Sequence, residues 1–236
     1  RSLVAALTAV AKTASRDDSR PSLTGVEVTL TGDALQLVTT DGYRLTRINL
    51  PVQTGQTATL VAPAKTIEAL TRIAKDAQAV RLCCTEGCFM AEVAADEQTA
   101  VLTCAVIDAR FPDYHAIIPQ THSSRATLTA AALARATKLA LLANSNANTI
   151  GYAFTPAQTR VTAFSDTQEA SIELPAALEG PEITMHFNGN FLVEALAPFN
   201  GDEAVVEMTG PARPVVFYSA SAGKDAHLTL VMPMHG

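Results

Sequence analysis

The chain has 236 residues, room for one large domain or two ordinary ones, and at 48% hydrophobic it can build real cores. Charged residues are 17% and the net charge is −6, which excludes a uniformly basic nucleic-acid binder but not a basic stripe on an acidic body. No apolar run reaches the roughly 18 residues of a membrane helix, and the first residues show no secretory-signal pattern, so a cytoplasmic location is expected. The chain opens at Arg1 without an initiator Met, as expected of a processed chain or a piece of a longer one.

In chain order, Leu3, Leu7, Val10 and Ala14 recur at spacings of three and four and predict an amphipathic helix. Alternating strands follow at 25–29 and 35–39; the second meets Asp41, and the stretch closes on Leu50-Pro51. Pro63 is placed to start a second helix through Ile67 and Leu70. Further strands are predicted at 80–84, 89–93 and 100–106. Pro119, Ser123 and Ser124 then break the periodicity, which predicts a linker over 118–127 and a boundary near 120. Thr129 can cap a helix through Leu133, Ala136, Ala140 and Ala143. Strands follow at 151–155 and 160–164, then Asp166 and Leu174-Pro175. Asn188 is expected to cap a helix through Val193 and Leu196, and strands at 204–208, 215–219 and 227–232 end the chain.

The second half repeats the first. Gly25-Val26-Glu27-Val28-Thr29 answers to Gly151-Tyr152-Ala153-Phe154-Thr155, and Asp41, Leu50-Pro51 and Ile67–Leu70 each have a partner at an offset of about 125 residues. The expected fold class is therefore α+β, in two tandem domains over 1–119 and 120–236. Each is a sheet with two helices on one face.

Chemistry is sparse. Cys83 and Cys84 are adjacent and so face opposite sides of a strand; with Cys88 and Cys104 they lack zinc spacing or a nearby His, and free thiols are expected. The chain contains no Gly-rich phosphate loop and no G-x-S-x-G, and its five histidines include no i, i+4 pair. Asp41 and Asp113 lie near turns, where Asp usually bonds its own backbone. Nothing assembles a nucleophile, a base and an oxyanion donor. No enzyme, no cofactor and no metal site is expected.

The basic residues cluster. Lys12 and Arg16 are one turn apart on the first helix and Arg20 follows in the loop over 15–22. Lys65, Arg72 and Lys75 share one face of the second helix, and Arg135 and Lys138 are one turn apart on the third. Either these are ordinary solvated faces, or they form a basic helical surface that follows a phosphate backbone without reading sequence. The stretch 188–199, which has no Lys or Arg, weighs against the second reading.

Three segments carry a resemblance: Thr39-Thr40-Asp41-Gly42-Tyr43-Arg44-Leu45, Arg110-Phe111-Pro112-Asp113-Tyr114 running to Ile117-Ile118-Pro119, and Val231-Met232-Pro233-Met234-His235-Gly236. They resemble the T-D-G-H-R-L, R-F-P-D-Y and V-M-P-M-R-L segments of the bacterial DNA polymerase III beta subunit, the sliding clamp, at matching spacings along the whole chain. The resemblance covers the middle and C-terminal domains of that family, not its N-terminal one. It implies tandem clamp domains and a non-catalytic ring around duplex DNA, helices inside and sheets outside. That ring tethers polymerase III, the clamp loader and other partners. Lys12, Arg16, Arg20, Lys65, Arg72, Lys75, Arg135 and Lys138 would then face DNA.

The resemblance also implies a cleft between the two domains that takes short partner peptides. One wall would be Leu23, Thr40, Gly42, Tyr43, Arg44, Leu45, Pro112 and Ile117. The other would be Asn188, Phe191, Ala212, Pro214, Leu230, Met232, Pro233 and Met234. Methionine suits such a surface because its side chain adapts to several partners. The chain departs from the family at Tyr43, where His is common, at Ala116, where a basic residue is frequent, and at His235-Gly236, where Arg-Leu is usual. A weaker or shifted peptide preference is expected. The rival reading is a two-domain interaction module that binds peptides without encircling DNA. Ring formation is expected of the full chain; for these two domains alone a monomer is expected, with a closed trimer as the alternative.

Overall fold

The computed structural model describes all residues except 1–2, 54, 86, 97, 144–147, 166–167, 200 and 235–236. Asp166 and the His235-Gly236 end therefore lie outside the described residues. The chain divides into two units, Arg1–Asp113 and Tyr114–Gly236.

The first unit opens with α1 (Leu3–Thr13), whose Leu7 and Val10 are fully buried. At 11 residues α1 cannot hold by itself, since isolated helices shorter than about 12–15 residues are marginal in water. It is held by packing on α2 (Ala64–Ile73), which buries Ile67 and Leu70. Beneath the helices lie β1 (Gly25–Thr31), β2 (Ala34–Thr40), β3 (Arg44–Pro51) and β4 (Thr57–Pro63), in the order β3-β2-β1-β4 and antiparallel throughout. A second antiparallel sheet comprises β5 (Ala79–Thr85), β6 (Cys88–Ala95) and β7 (Gln98–Ala105). One core joins both sheets and both helices, with Val28, Leu37 and Ile48 from the first sheet and Phe89 and Val93 from the second.

The second unit rebuilds the same plan. Its strands are β8 (Ser124–Thr129), β9 (Thr149–Phe154), β10 (Gln158–Phe164), β11 (Glu169–Pro175), β12 (Ala177–Glu179), β13 (Ile183–Asn188), β14 (Glu203–Met208), β15 (Val215–Ser219) and β16 (His227–Val231). They form the orders β11-β10-β9-β13 and β12-β8-β14-β15-β16. The helices are α3 (Ala130–Ala143), α4 (Gly189–Leu196) and the single turn α5 (Gly223–Ala226); α3 packs on α4. The core gathers Leu133, Ala136 and Ala140 of α3 with Tyr152, Phe187, Phe199 and Phe217.

The repeat is thus a repeat of topology: β4-β1-β2-β3 in one unit corresponds to β13-β9-β10-β11 in the other. Gly25 and Gly151 recur for a steric reason. A Cβ on Gly25 would lie 2.4 Å from Val61 Cγ1, and one on Gly151 would lie 2.6 Å from Thr162 Oγ1. The α+β class holds, with each unit's strands divided between two sheets where one had been expected.

Three local expectations change. The predicted linker over 118–127 contains the start of β8, because Ser124 is fully buried and its hydroxyl bonds Pro181 O at 2.7 Å, so a polar residue serves as a core position. Helix α1 stops at Thr13, leaving Ala14 and Arg16 beyond its end; Asp17 N bonds Ser15 Oγ at 3.1 Å and Ser15 N bonds Leu23 O at 2.9 Å, which commits the chain to a loop. Likewise α2 stops at Ile73, with Ala74 N bonding Leu70 O, and Lys75 falls in the following turn.

Candidate functional site

In the first unit the β2–β3 turn is built around Asp41. Its Oδ1 accepts bonds from Tyr43 N and Arg44 N, both at 2.9 Å, and its Oδ2 accepts from Arg44 Nε at 3.0 Å. Thr40 Oγ1 donates to Arg44 O at 2.7 Å and accepts from Gly42 N at 3.1 Å. Gly42 has φ of +93°, a left-handed conformation that favours glycine. Arg44 is buried, and its Nη2 reaches Lys12 O at 2.9 Å, at the end of α1. Thr13 and Thr46 add a hydroxyl–hydroxyl bond of 2.9 Å beside it. A β-turn and a helix terminus are therefore clamped by one guanidinium.

These bonds sort the residues proposed for peptide contact in this unit. Tyr43 is 63% exposed, and Gly42 and Pro112 are also exposed. Leu23, Thr40, Arg44 and Leu45 are buried and shape the turn from beneath. Leu23 lies in a short 3₁₀ turn, Pro21–Thr24.

In the second unit Ile117 is exposed at the end of the 3₁₀ turn His115–Ile117. Asn188 caps α4, its Oδ1 accepting from Asn190 N at 3.0 Å. The chain end is tied to β13: Met234 N donates to His186 O at 2.7 Å, and Thr149 Oγ1 approaches Met234 Sδ at 3.7 Å. Backbone pairing holds Met234 in place while its side chain stays 42% exposed. Met232, Pro233, Pro214 and Phe191 are half-buried, Ala212 is exposed and Leu230 is buried.

The residues proposed to face DNA are all exposed: Lys12 on α1, Lys65 and Arg72 on α2, Arg135 and Lys138 on α3, and Arg16, Arg20 and Lys75 in loops or turns. Two are partly neutralised. Arg72 bonds Glu68 at 2.7 Å, and Arg20 pairs with Asp17 at 3.4 Å. The Asp17 carboxyl is held below its usual range by the Ser19 side chain first, with Arg20 contributing. A Cβ on Gly42 would lie 3.3 Å from Arg20 Nη1, so the tight turn at Gly42 leaves the guanidinium its place. On α4 the exposed side chains are Asn190, Glu194 and Ala197 just past its end, with no cation.

Two polar networks had no signal in the sequence. Glu207 on β14 receives Lys224 Nζ at 2.8 Å and Tyr218 OH at 2.8 Å, with His122 Nδ1 at 3.6 Å; Lys224 also bonds Pro119 O at 3.1 Å. Burial alone would raise the Glu207 carboxyl, but the bonds from Lys224 and Tyr218 outweigh it and leave it lowered. Asp202 accepts the hydroxyls of Ser219 and Ser221, which hold its carboxyl well below the usual range. Both networks join residues far apart in the chain, so no motif spacing announces them. Among the described residues, no three His, Cys, Asp or Glu side chains gather as metal ligands would, and no helix is long and apolar enough to cross a membrane.

Comparison with known proteins matches these two units separately. Residues 1–113 match the DNA polymerase III beta subunit, central domain, and residues 115–235 match its C-terminal domain. The chain is 27% identical over 238 residues to the beta sliding clamp homolog GriR of Streptomyces muensis, covering 97% of this chain and 63% of the relative. It is 26% identical over 238 residues to the beta sliding clamp of Streptomyces coelicolor, covering 95% and 62%. The DNA polymerase sliding clamp of Bacillus subtilis shares the fold at a TM-score of 0.90 and 22% identity, over 99% of this chain and 62% of that one. The DNA polymerase III beta subunit of Thermotoga maritima does so at 0.88 and 20%, over 99% and 63%. The chain thus spans a little over three fifths of the length of these relatives. Both family domains cover nearly every residue, and the chain belongs to the DNA polymerase III beta subunit family.

Proposed function

We propose that this chain is the central and C-terminal part of a DNA sliding clamp. It acts without catalysis, as a sequence-independent holder of duplex DNA and a docking surface for polymerase III, the clamp loader and other partners. The observation that carries this reading is the exposed basic set on the helical layer of both repeats, Lys12, Lys65, Arg135 and Lys138, in a chain whose net charge is −6. A few scattered cations suit sliding, because each further phosphate contact adds affinity and salt dependence. The proposed peptide-contacting residues have a matching chemistry. Tyr43, Ile117 and Met234 are exposed apolar side chains on bonded backbone or at short turns. The two clamp domains span 1–119 and 120–236 in this reading, and the protein works in the cytoplasm.

A second reading, a peptide-binding module that does not encircle DNA, is favoured by one feature, the absence of Lys and Arg on α4. Retention of the full, ring-forming chain on circular DNA, released by linearisation, separates the two readings. Topological linkage gives release only from the cut form, whereas a simple binder is retained equally on both. A fluorescent peptide carrying a clamp-binding motif tests the docking surface. It should bind with altered affinity because of Tyr43, and no binding at high micromolar concentration refutes the assignment of these residues.

A further inference from the structure

The outer face of the β5–β6 hairpin carries three sulfurs that neither the basic helices nor the peptide-contacting residues use. Cys83 pairs with Met90 and Thr85 with Cys88 across the two strands. Residues of one parity share a face of a sheet. Cys84 and Phe89 take the inner face, 6% and 1% exposed, so Cys83, Cys88 and Met90 share the outer one, all half-buried. On the third strand of that sheet, Met90 is opposite Thr103 and Cys88 opposite Ala105, small exposed residues. The next row is Arg81 with Glu92, already paired at 2.7 Å.

Register fixes the spacing. Directly opposed Cβ atoms lie about 4.5–5.5 Å apart and diagonal neighbours about 7–8 Å or somewhat less, and residues two apart on a strand are separated by about 6.6 Å. Cys83–Met90 is the opposed pair, Cys83–Cys88 the diagonal and Cys88–Met90 the same-strand pair. The diagonal is long for a disulfide, which fails when Cα atoms are more than about 7 Å apart without backbone movement. It suits a bridging ion, since two metal–sulfur bonds of roughly 2.3 Å span most of that gap. Among the described residues, no His, Asp or Glu joins these thiols to complete a tetrahedral zinc set. Two thiolates and a thioether form a soft donor set, of the kind that selects Cu(I).

We propose that Cys83, Cys88 and Met90 form a three-coordinate site for a soft monovalent cation of the Cu(I) class. Each thiol loses its proton on binding, so one ion entering releases two protons and the ion's oxidation state is unchanged. Cys84 takes no part: burial pushes its thiol up to about 11, and it faces the core.

The test uses the reduced, metal-free chain, titrated without oxygen against Cu(I) held by the coloured bicinchoninate chelator. The wild-type chain should withdraw one equivalent from the chelator. Cys83→Ser and Cys88→Ser should each weaken binding by more than the roughly 10–100-fold cost of altering groups outside the ligand sphere. Met90→Leu, which conserves volume, should weaken it less. Cys104→Ser, opposite Phe89 on the inner face, should bind as wild type. The proposal is overturned if the wild type withdraws no copper, or if both outer-face serine variants retain full binding. Equal loss in Cys104→Ser, with urea midpoints unchanged, also overturns it.

Discussion

Arg44 shows how one side chain can set the geometry of a functional turn without facing solvent. Its side chain is 9% exposed and its partner Asp41 14%, and the guanidinium also holds the carbonyl that ends α1. Removing one member of a buried, hydrogen-bonded ion pair strands the other charge and typically costs about 3–5 kcal/mol. Arg44→Ala should therefore lower unfolding free energy in urea by roughly 3 kcal/mol. Arg44→Lys should recover only part of it, because an ammonium cannot serve Asp41 and Lys12 O with a planar fork. Equal stability of Arg44→Ala and wild type would show that the clamp is not structural. Tyr43, one residue earlier, is 63% exposed, so its substitution should leave the urea midpoint in place and act on peptide affinity alone.

At the scale of elements, short helices depend on their ends and on the layer below. Helix α4 has only 8 residues, and Asn188 satisfies one of its first amide groups. Asn188→Ala should destabilise the second unit by about 1 kcal/mol, the usual worth of such a cap, read as a lowered urea midpoint at unchanged slope. The Glu207 network joins β14, β15 and α5 to the segment bearing Pro119. The Glu207 carboxyl is lowered from its ordinary value of 4.5, so its contribution is present above that pH and is lost as pH falls through the folded value. The stability gap between wild type and Glu207→Gln should narrow as pH drops from about 5 to about 3. A gap independent of pH in that window would mean the carboxylate charge contributes nothing.

For the whole molecule, the proposed DNA contacts predict a countable effect. Each phosphate contact contributes about 0.9 to the slope of log affinity against log salt on duplex DNA. Replacing Arg135 and Lys138 together by Gln should lower that slope by up to about 1.8, equally for any duplex sequence. Arg72→Gln should do less, since Glu68 already partners it at 2.7 Å. Unchanged slopes in fluorescence titrations across salt would remove the α3 face from the DNA surface.

Much of this was legible in the sequence, because the signals were periodic or repeated. Apolar spacing marked the buried faces of α1 and α3, alternation marked the strands, and the doubled landmarks marked two units of one topology. The Asp41 turn was legible too, since an Asp before Gly bonds its own backbone and those bonds are local. The end of α1, and the placing of Ser124 in a strand, were decided only by tertiary structure. There the deciding bonds run from Ser15 to Leu23 and from Ser124 to Pro181. The same holds for the division of strands into two sheets and for the Lys224 tie to Pro119. Each depends on which distant segments the fold sets side by side, and local periodicity does not encode that.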